Sequence, residues 1–374
     1  MTTTTVFSPF DVQMMQRALQ LAQKGRFTTS PNPRVGCVIV KDNNVVGEGF
    51  HYRAGEPHAE VYALREAAEQ AKGATAYVTL EPCSHYGRTP PCAEALINAQ
   101  VGRVVCAMQD PNPQVAGRGL KMLSDAGIET TTGLLTQQSA ALNPGFIKKM
   151  ERNKPYVQLK LAASLDGKTA LANGESKWIT SAPARSDVQQ FRAQADAILS
   201  TSATVLADNP RLNVRHDQLP HSIQADYPDS ALRQPVKVIV DRQQRITPSY
   251  GCIDGEVRLI STQPREALWP EGVEHWVQDE WHVSKIMDAL AQNNLNQVFV
   301  EAGATFAGAL LEAQAVDELI LYLAPKLMGG DSRSLLGALG LTAMSAVIDL
   351  TLTDVRMVGG DIRIIAKPIY AQNN

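Results

Sequence analysis

The sequence lacks several features that would place it in other classes of protein. No apolar run approaches the roughly 18 residues that a helix needs to span a bilayer, so we expect no membrane partner. The amino-terminal segment MTTTTVFSPF has neither the basic stretch nor the apolar core of a secretory signal, and we expect a cytoplasmic location. No fixed-period repeat or low-complexity tract occurs, which excludes solenoids and long disordered tails. A formal net charge of −3 at pH 7 offers no attraction for a polyanion, so we expect no nucleic-acid partner.

Cysteine is sparse as well. Five cysteines, an odd number in a chain of 374 residues, argue against a disulfide framework and favour reduced thiols that bind metal or pack in a core. Cys37 and Cys106 lie in apolar, strand-like runs and are interpreted as core residues, while Cys252 has no evident role. Cys83 and Cys92 therefore remain as candidate metal ligands.

The order of predicted elements places the chain in the α/β class with two domains. A chain of 374 residues exceeds the size at which a single core keeps growing. Helical and strand patterns alternate in both halves, which predicts an α/β sandwich in the first half and a different α/β domain in the second. Between them, a stretch with two prolines, a glycine and a basic cluster breaks the pattern. We therefore predict domains over 1–146 and 155–374, joined by a linker over 147–154.

One stretch of the first half brings together the residue types of a metal site. His58 and Glu60 stand at the start of a predicted helix, Cys83 follows a predicted strand, and Cys92 opens the next helix behind two prolines. Catalytic zinc takes three nitrogen, sulfur or oxygen ligands and leaves a position for water, a need that His58, Cys83 and Cys92 would meet. Glu60 would then lie beside the water. The alternatives are a surface histidine near two core cysteines, or a structural zinc for which His85 is the nearest fourth ligand.

This pattern of His-Ala-Glu, Pro-Cys and a second cysteine resembles the zinc nucleobase deaminases, in which the glutamate moves protons during hydrolysis. Eight residues separate the two cysteines here, more than in the usual signature. This longer form, together with the upstream segment SPNPRVGCVIV, resembles the deaminase half of the bifunctional riboflavin biosynthesis proteins of bacteria. The resemblance implies a cytidine-deaminase-like α/β/α sandwich, one zinc ion held by the three ligands, and Glu60 as the catalytic residue. It also implies a substrate pocket formed by Asn32, His51, His85 and Arg88, although His51 alone would equally fit a satisfied surface histidine.

The second half holds two further motifs. A predicted strand that ends at Glu301 runs through Gly303 into a helix, an arrangement that offers free backbone N–H groups to a phosphate. No G-x-G-x-x-G sequence occurs there, so this is not the Rossmann fingerprint, and many α/β turns look the same. Arg192, Arg211 and Arg215 are spaced around an acidic turn, where they either bind a phosphate or form a solvated face.

The run from KLAASLDGKTALANGESKWITS to APKLMGG resembles the reductase half of the same bifunctional family, a domain similar to dihydrofolate reductase. The resemblance thus covers almost the entire chain and implies NADPH as the second cofactor. Arg242 stands where the resemblance leads us to expect a small hydroxyl residue near the adenosine phosphate, so cofactor binding there must be arranged differently. The implied NADPH-binding residues are Ala162, Trp178, Thr204, Asp208, Gly303, Ala304, Thr305, Phe306, Ala307, Gly308 and Ala309. The implied substrate-binding residues are Lys160, Ser176, Arg192, Leu212, Arg215 and Glu301.

The function implied by the two resemblances is bifunctional. The first domain would deaminate 2,5-diamino-6-ribosylamino-4(3H)-pyrimidinone 5′-phosphate, and the second would reduce the ribosyl chain of the product to ribityl, both steps towards riboflavin. One alternative keeps the deaminase and makes residues 155–374 a cofactor-free module that holds the phosphorylated product. A weaker alternative is a non-enzymatic scaffold with a structural zinc. We also expect a homo-oligomer, either a dimer or a tetramer.

Overall fold

The computed structural model describes residues 7–86, 90–113, 115–266 and 268–370. Its chain forms two compact units, Met1–Asn153 and Lys154–Asn374. Most of the segment interpreted as a linker is helical, because a helix runs over Pro144–Arg152 with a proline in its first turn and the left-handed residue Asn153 at its end. The assignment of 147–154 as a linker stays a prediction.

The first unit has five strands and six α-helices in its described residues. In chain order they are α1 (Pro9–Gln23), β1 (Gly36–Lys41), β2 (Asn44–Phe50), α2 (Ala59–Ala67), β3 (Thr75–Val78), α3 (Cys92–Asn98), β4 (Arg103–Cys106), α4 (Arg118–Asp125), β5 (Glu129–Thr132), α5 (Thr136–Leu142) and α6 (Pro144–Arg152).

These five strands form one sheet in the order β2-β1-β3-β4-β5. β1 pairs antiparallel with β2 and β3, whereas β3, β4 and β5 are parallel. Successive residues of a strand point to opposite faces. Cys37 and Ile39 of β1 pack with α2 and α3 in one core, while Val38 and Val40 pack with α1 in another. Helices therefore cover both faces, as expected for an α/β/α sandwich, and Cys37 and Cys106 are buried as predicted.

The second unit has eleven strands and five α-helices in its described residues. In chain order they are β6 (Tyr156–Ser164), β7 (Lys168–Ala170), α7 (Ala182–Gln194), β8 (Ala197–Thr201), α8 (Ser202–Asp208), α9 (His221–Asp226), β9 (Val236–Val240), β10 (Val257–Ser261), β11 (Val273–Val277), α10 (Val283–Gln292), β12 (Gln297–Glu301), α11 (Ala304–Glu312), β13 (Glu318–Ala324), β14 (Arg333–Ser334), β15 (Asp349–Val358) and β16 (Asp361–Ile369).

Nine of these strands form one sheet in the order β11-β10-β9-β8-β12-β6-β13-β16-β15. Every neighbouring pair from β11 to β13 is parallel, and β16 and β15 extend the sheet in antiparallel fashion. Val298 and Val300 of β12 pack with α10 and α11, while Phe299 packs with α7 on the opposite face. Because parallel strands end at the same edge, the carboxyl ends of β6, β12, β8 and β9 form one rim where a ligand can bind.

The strands and helices predicted from the sequence are present in both units. The sequence interpretation missed β5, β11 and the antiparallel hairpin of β15 and β16. The helix predicted to follow Gly303 begins at Ala304. No helix in the described parts of the chain is long and apolar enough to cross a membrane.

Candidate metal centre and cofactor cleft

Three side chains converge at the starts of two helices in the first unit. His58 immediately precedes α2, Cys92 is the first residue of α3, and Cys83 lies in the segment after β3. His58 Nδ1 is 3.2 Å from Cys92 Sγ and 3.6 Å from Cys83 Sγ. The three potential ligand atoms all lie within 4.8 Å of one another. The structure therefore brings the predicted metal ligands together, and Nδ1 is the histidine atom that faces the two sulfurs.

The spacing of this cluster fits zinc. Tetrahedral zinc with nitrogen and sulfur ligands at ordinary bond lengths separates those atoms by roughly 3.6 Å, close to both nitrogen-to-sulfur distances. In the described part of the chain this is the one group of three or more candidate ligands, and His85, which is exposed, does not belong to it. Three protein ligands leave a tetrahedral position open, as a catalytic zinc requires, whereas a structural zinc normally has four.

The start of α3 also favours the charged form of one ligand. The backbone N–H of Cys92 donates to Cys83 Sγ at 3.2 Å, and the N–H of Ala93 donates to the carbonyl oxygen of Cys83. Hydrogen bonding from Cys92 lowers the pKa of the Cys83 thiol to about 4. These hydrogen bonds favour the thiolate of Cys83, which is the form that binds zinc.

Glu60 lies in the first turn of α2, two residues after His58. Its side chain is buried, with 3% of the residue exposed, beside Cys92. Burial, reinforced by the charge of Cys83, raises the pKa of the Glu60 carboxyl to about 7. A carboxyl group poised near neutral pH can both accept and return a proton, which is the property needed in a general acid and base.

Glu81, which the sequence interpretation missed, fixes the segment that leads to Cys83. Its buried carboxylate accepts hydrogen bonds from the backbone N–H groups of Asp110, Gly117, Gly119 and Leu120, at 2.9 to 3.3 Å. An added Cβ at Gly119 would lie 1.9 Å from a backbone oxygen, so this approach requires glycine. In the sequence, the one feature that could have drawn attention to Glu81 is its position two residues before the candidate ligand Cys83. That position does not reveal which distant backbone groups Glu81 binds.

His51 and Asn32 form a second polar group next to the metal cluster. His51 Nδ1 is 3.1 Å from the carbonyl oxygen of Pro57, and its Nε2 is 3.1 Å from Asn32 Nδ2. Its ring centre is 5.2 Å from that of His58. His51 is only 2% exposed, so the alternative of a surface histidine is wrong. Burial lowers the pKa of His51, which favours the neutral ring that donates through Nδ1 and accepts through Nε2.

The other two predicted substrate residues lie in the segment between the cysteines. His85 is exposed and lies near Asp110. Burial raises the pKa of Asp110 to about 6. Arg88 falls outside the described residues. The proposed roles of His85 and Arg88 in the substrate pocket stay predictions.

The second unit has a cleft of about 1390 Å³ at the carboxyl ends of its parallel strands. Its walls include the ends of β6, β8, β9 and β12 and the starts of α8, α10 and α11. The predicted cofactor-binding residues that line this cleft are Ala162, Thr204, Asp208, Gly303, Ala304, Thr305, Phe306 and Ala309. The predicted substrate-binding residues that line it are Lys160, Ser176 and Glu301.

Glu301, which lines this cleft, forms an ion pair with Arg192. Arg192 Nε donates to Glu301 Oε1 at 2.6 Å, and Arg192 Nη1 donates to the carbonyl oxygen of Asn213 at 3.0 Å. Burial opposes the ionisation of Glu301, but the charges of Arg192 and Lys160 outweigh it and hold the pKa of Glu301 below its usual range. Burial lowers the pKa of Lys160. The cleft therefore contains a carboxylate whose ionised form is favoured by the ion pair with Arg192 and by the charge of Lys160.

Gly303 provides the space that a phosphate needs. It precedes α11, and a Cβ added to it would meet no atom within 4 Å. The N–H groups of Phe306 and Ala307 bond back to the carbonyl oxygen of Gly303, so those of Ala304 and Thr305 are the two that stand at the open start of the helix. Backbone donors with room above them suit the pyrophosphate of a dinucleotide.

Several predicted residues do not line the cleft. Ala307 is fully buried in the core, and Gly308 packs against Gly337, since an added Cβ would lie 3.6 Å from it. Trp178 is 66% exposed, with the Arg185 guanidinium 4.5 Å from its ring centre. Three predicted substrate residues also lie outside the lining of the cleft, namely Arg192, Leu212 and Arg215. Arg192 and Leu212 are buried. Conversely, Gln243 and Arg245 line the cleft but were not predicted, although Arg245 follows a predicted strand closely in DRQQRIT.

Comparison with known families agrees with this division. Residues 9–108 match the cytidine and deoxycytidylate deaminase zinc-binding region, and residues 155–364 match the RibD C-terminal domain. The chain is 53% identical over 366 residues to the riboflavin biosynthesis protein RibD of Haemophilus influenzae, covering 97% of this chain and 98% of that protein. It is 55% identical over 358 residues to the RibD of Escherichia coli, covering 94% and 98%.

Solved structures give the same result. The chain superposes on Acinetobacter baumannii RibD with a TM-score of 0.90 and 45% identity, covering 96% of this chain and 99% of that one. For a deaminase/reductase from Thermotoga maritima the TM-score is 0.85 and the identity 32%, with coverages of 96% and 99%.

The fold and the two sites define a two-part enzyme in which a zinc-binding deaminase is followed by a reductase. More specifically, the chain belongs to the RibD family, the bifunctional deaminase/reductases of riboflavin biosynthesis. Its deaminase domain binds zinc, and its reductase domain uses NADPH. The expected α/β fold class and bifunctional activity are confirmed, and the cofactor-free binding module is wrong.

The cluster geometry predicts that zinc content depends on Cys83. Replacement of Cys83 by Ser removes a preformed thiolate ligand, so we expect the purified variant to lose its zinc, as measured by inductively coupled plasma mass spectrometry. Cys252→Ala provides the control, because that thiol is buried in the second unit and should leave one zinc per chain. A full zinc complement in Cys83→Ser would contradict the assignment of the ligand.

Proposed function

We propose that the first unit deaminates 2,5-diamino-6-ribosylamino-4(3H)-pyrimidinone 5′-phosphate and that the second reduces the ribosyl chain of 5-amino-6-(5-phosphoribosylamino)uracil to ribityl. The Thermotoga maritima relative is a diaminohydroxyphosphoribosylaminopyrimidine deaminase/5-amino-6-(5-phosphoribosylamino)uracil reductase. The observation that supports this proposal most directly is the three-ligand cluster with the buried Glu60 beside it.

In the first unit we assign the zinc ligands to His58 Nδ1, Cys83 Sγ and Cys92 Sγ. Zinc, when bound, lowers the pKa of a water molecule to about 7 and so supplies the nucleophile. Glu60 would take a proton from this water, the water oxygen would add to the ring carbon that carries the amino group, and Glu60 would pass the proton to the amino nitrogen. The bond between the ring carbon and that nitrogen would then break to release ammonia, and the second proton of the water would end on the ring nitrogen of the new carbonyl product. The buried position of Glu60 keeps this exchange away from bulk water.

Asn32 and His51 orient the pyrimidine in this proposal. The carbonyl oxygen of Pro57 accepts from His51 Nδ1, so Nε2 accepts an N–H of Asn32 and fixes the side-chain amide. We assign the amide oxygen and the second N–H of Asn32 to the edge of the pyrimidine ring. His85 and Arg88 are assigned to the phosphate end of the same substrate.

In the second unit we assign NADPH to the cleft, with its pyrophosphate at the start of α11 and with Ala162, Thr204 and Asp208 among the residues that contact it. NADPH, when bound, would supply a hydride to the sugar carbon that is bonded to the ring oxygen; that carbon–oxygen bond breaks, and the oxygen receives a proton, which opens the ribosyl ring to the ribityl chain. Lys160, Ser176 and Glu301 bind the sugar in this arrangement. Arg192 positions Glu301 through their ion pair, and Arg215 binds the substrate phosphate. Roles for Trp178, Leu212, Ala307 and Gly308 stay predictions from the family resemblance.

Glu60→Gln tests the proton-transfer step. The amide keeps the size of the carboxyl group but cannot carry a proton, so we expect deamination to fall by about 100-fold or more. Zinc content should stay at one per chain, and reduction of supplied uracil substrate should continue at the wild-type rate. Ammonia release at the wild-type rate would contradict the role of Glu60, whichever way the zinc is bound.

Gly303→Val and Arg215→Ala separate the two ligands of the second unit. The valine side chain fits the open space of the protein alone but would occupy the pyrophosphate position, so NADPH affinity should fall at least about 10-fold while deamination is unchanged. Arg215→Ala should raise the KM for the uracil substrate and leave NADPH affinity unchanged. Fluorescence titration of NADPH and steady-state kinetics measure these effects, and Gly330→Val, also in open space, is the control. Wild-type NADPH binding by Gly303→Val would contradict the pyrophosphate assignment.

We also propose a homo-oligomer, dimer or tetramer, that assembles through the edge strand β15. The pairing of β15 with β16 shifts its register between Leu352 and Asp354. As a result, four apolar residues of β15 pair with every second residue of β16, so their side chains lie on the same face of the sheet. These residues are 44 to 62% exposed: Leu350, Leu352, Val355 and Met357. Four exposed apolar side chains in a row along an edge strand suit contact with a second copy.

Val355→Glu is the test of this surface. A charge in the middle of the apolar stripe should disfavour its burial, so we expect the variant to run as a monomer in light-scattering chromatography. Thr351→Glu is a matched control, because Thr351 lies on the other face of β15 opposite Lys367, where a carboxylate is tolerated. An unchanged oligomer in Val355→Glu would contradict the proposed surface.

We also propose a cytoplasmic location, which is supported by five cysteines that are all free thiols.

A further inference from the structure

Two arginines line the part of the cleft that lies after β9, away from the ion pair of Glu301. Asp241 follows the strand, and a turn in which the Gln244 N–H bonds to the Asp241 carbonyl oxygen closes its carboxyl end. Arg242 lies inside this turn, and Arg245 directly follows it. Both side chains contribute to the wall of the cleft.

The turn is held in place by a buried carboxylate. Asp241 is fully buried, and its Oδ1 accepts from the Arg245 N–H at 3.0 Å while its Oδ2 accepts from the Ile246 N–H at 2.9 Å. Arg265 Nη2 donates to the same Oδ2 at 2.5 Å, and the Arg265 guanidinium lies 5.2 Å from the ring centre of Trp269. The charge of the Asp241 carboxylate is thus balanced by Arg265. Its hydrogen bonds to the backbone of Arg245 and Ile246 hold the turn that contains Arg242 without any ligand.

The two guanidinium groups differ in their partners. Arg245 Nη2 donates to Ser202 Oγ at 3.0 Å, which ties it to the first residue of α8. Arg242 makes no hydrogen bond or ion pair with any residue in the described part of the chain. Since Asp241 is already paired with Arg265, two positive charges face the cleft without a carboxylate partner in their own turn. Such a pair fits a ligand group with negative charge.

The position of the turn identifies which group of NADPH this is. The order β9-β8-β12 puts the carboxyl ends of β9 and β12 two strand spacings apart, roughly 10 Å. The pyrophosphate is assigned to Gly303 after β12, so a cofactor that lies along the rim has its adenosine ribose towards β9. The remaining anion of NADPH is the 2′-phosphate on that ribose, and it is the group that NADH lacks.

We propose that Arg242, with Arg245 beside it, binds the 2′-phosphate and makes the second unit select NADPH over NADH. The inference rests on the proposed placement of the cofactor along the rim. It also explains the departure at Arg242 from the small hydroxyl residue expected there, because a guanidinium supplies a full charge and paired N–H donors where a hydroxyl supplies a single donor.

The test is binding without turnover. Fluorescence titration of NADPH and NADH, and calorimetry of 2′,5′-ADP and ADP, would be compared for the wild type, Arg242→Ala, Arg242→Ala/Arg245→Ala and Arg242→Lys. Loss of a charged hydrogen-bonding group should weaken NADPH and 2′,5′-ADP by about 10- to 100-fold and leave NADH and ADP unchanged. Lysine should restore part of the loss, and Arg152→Ala, an exposed arginine of the first unit, controls for net charge.

The other outcomes overturn the proposal and are distinguishable from failure of the proposed function. Equal weakening of NADPH and NADH by Arg242→Ala would assign this residue to the pyrophosphate. Equal wild-type affinities for NADPH and NADH, or NADPH binding unaffected in the double variant, would show that the 2′-phosphate is not recognised here. In those cases Gly303→Val would still weaken NADPH if the cofactor lies along the rim. If Gly303→Val also binds normally, the proposed placement of the cofactor fails as well.

Discussion

Parallel pairing of strands is the constraint on which both sites depend. Parallel strands end at a common edge, and each is followed by a chain reversal into a helix. In the first unit this edge receives Cys83 after β3, where α3 begins close enough for its first backbone N–H to reach the sulfur. In the second unit the ends of four parallel strands form the rim of the cleft. Side chains far apart in sequence meet there because the hydrogen bonds of the sheet fix their spacing.

The two sites use buried carboxylates in opposite ways. Burial and the charge of Cys83 both disfavour ionisation of Glu60, and they raise the pKa of its carboxyl group to about 7. Glu301 is also buried, but Arg192 and Lys160 keep its pKa below the usual range. The protonated form of the same functional group is therefore favoured in one unit and the ionised form in the other, and the difference lies in the charges of its neighbours.

Local patterns in the sequence were enough to predict the parts of the structure that depend on neighbouring residues. The helix that begins at Cys92 follows from two prolines and an apolar period, and the strand before Gly303 follows from a short buried run. The metal cluster was predictable because only a few residue types bind zinc. The family resemblance supplied the remaining site residues, which no local pattern would have found.

What escaped prediction depends on contacts between distant residues. The role of Glu81 arises from partners 29 to 39 residues away, and the orientation of the buried His51 ring arises from hydrogen bonds with Asn32 and Pro57. Strand β15 was missed because nearly all of its residues are exposed, which removes the alternation of buried and exposed positions by which strands are recognised. Arg245 required knowledge of the turn that Asp241 organises.

The carboxylate of Glu81 has a consequence for how a newly made chain acquires its metal. All of its four backbone partners follow Cys92 in the sequence, and the last of them is Leu120. A nascent chain that has just completed its three metal ligands still lacks the loop that fixes the segment leading to Cys83. The segment that leads to Cys83 therefore gains its native hydrogen bonds only when residues up to Leu120 have folded against it, so the native geometry of the metal ligands depends on chain well beyond the ligands themselves.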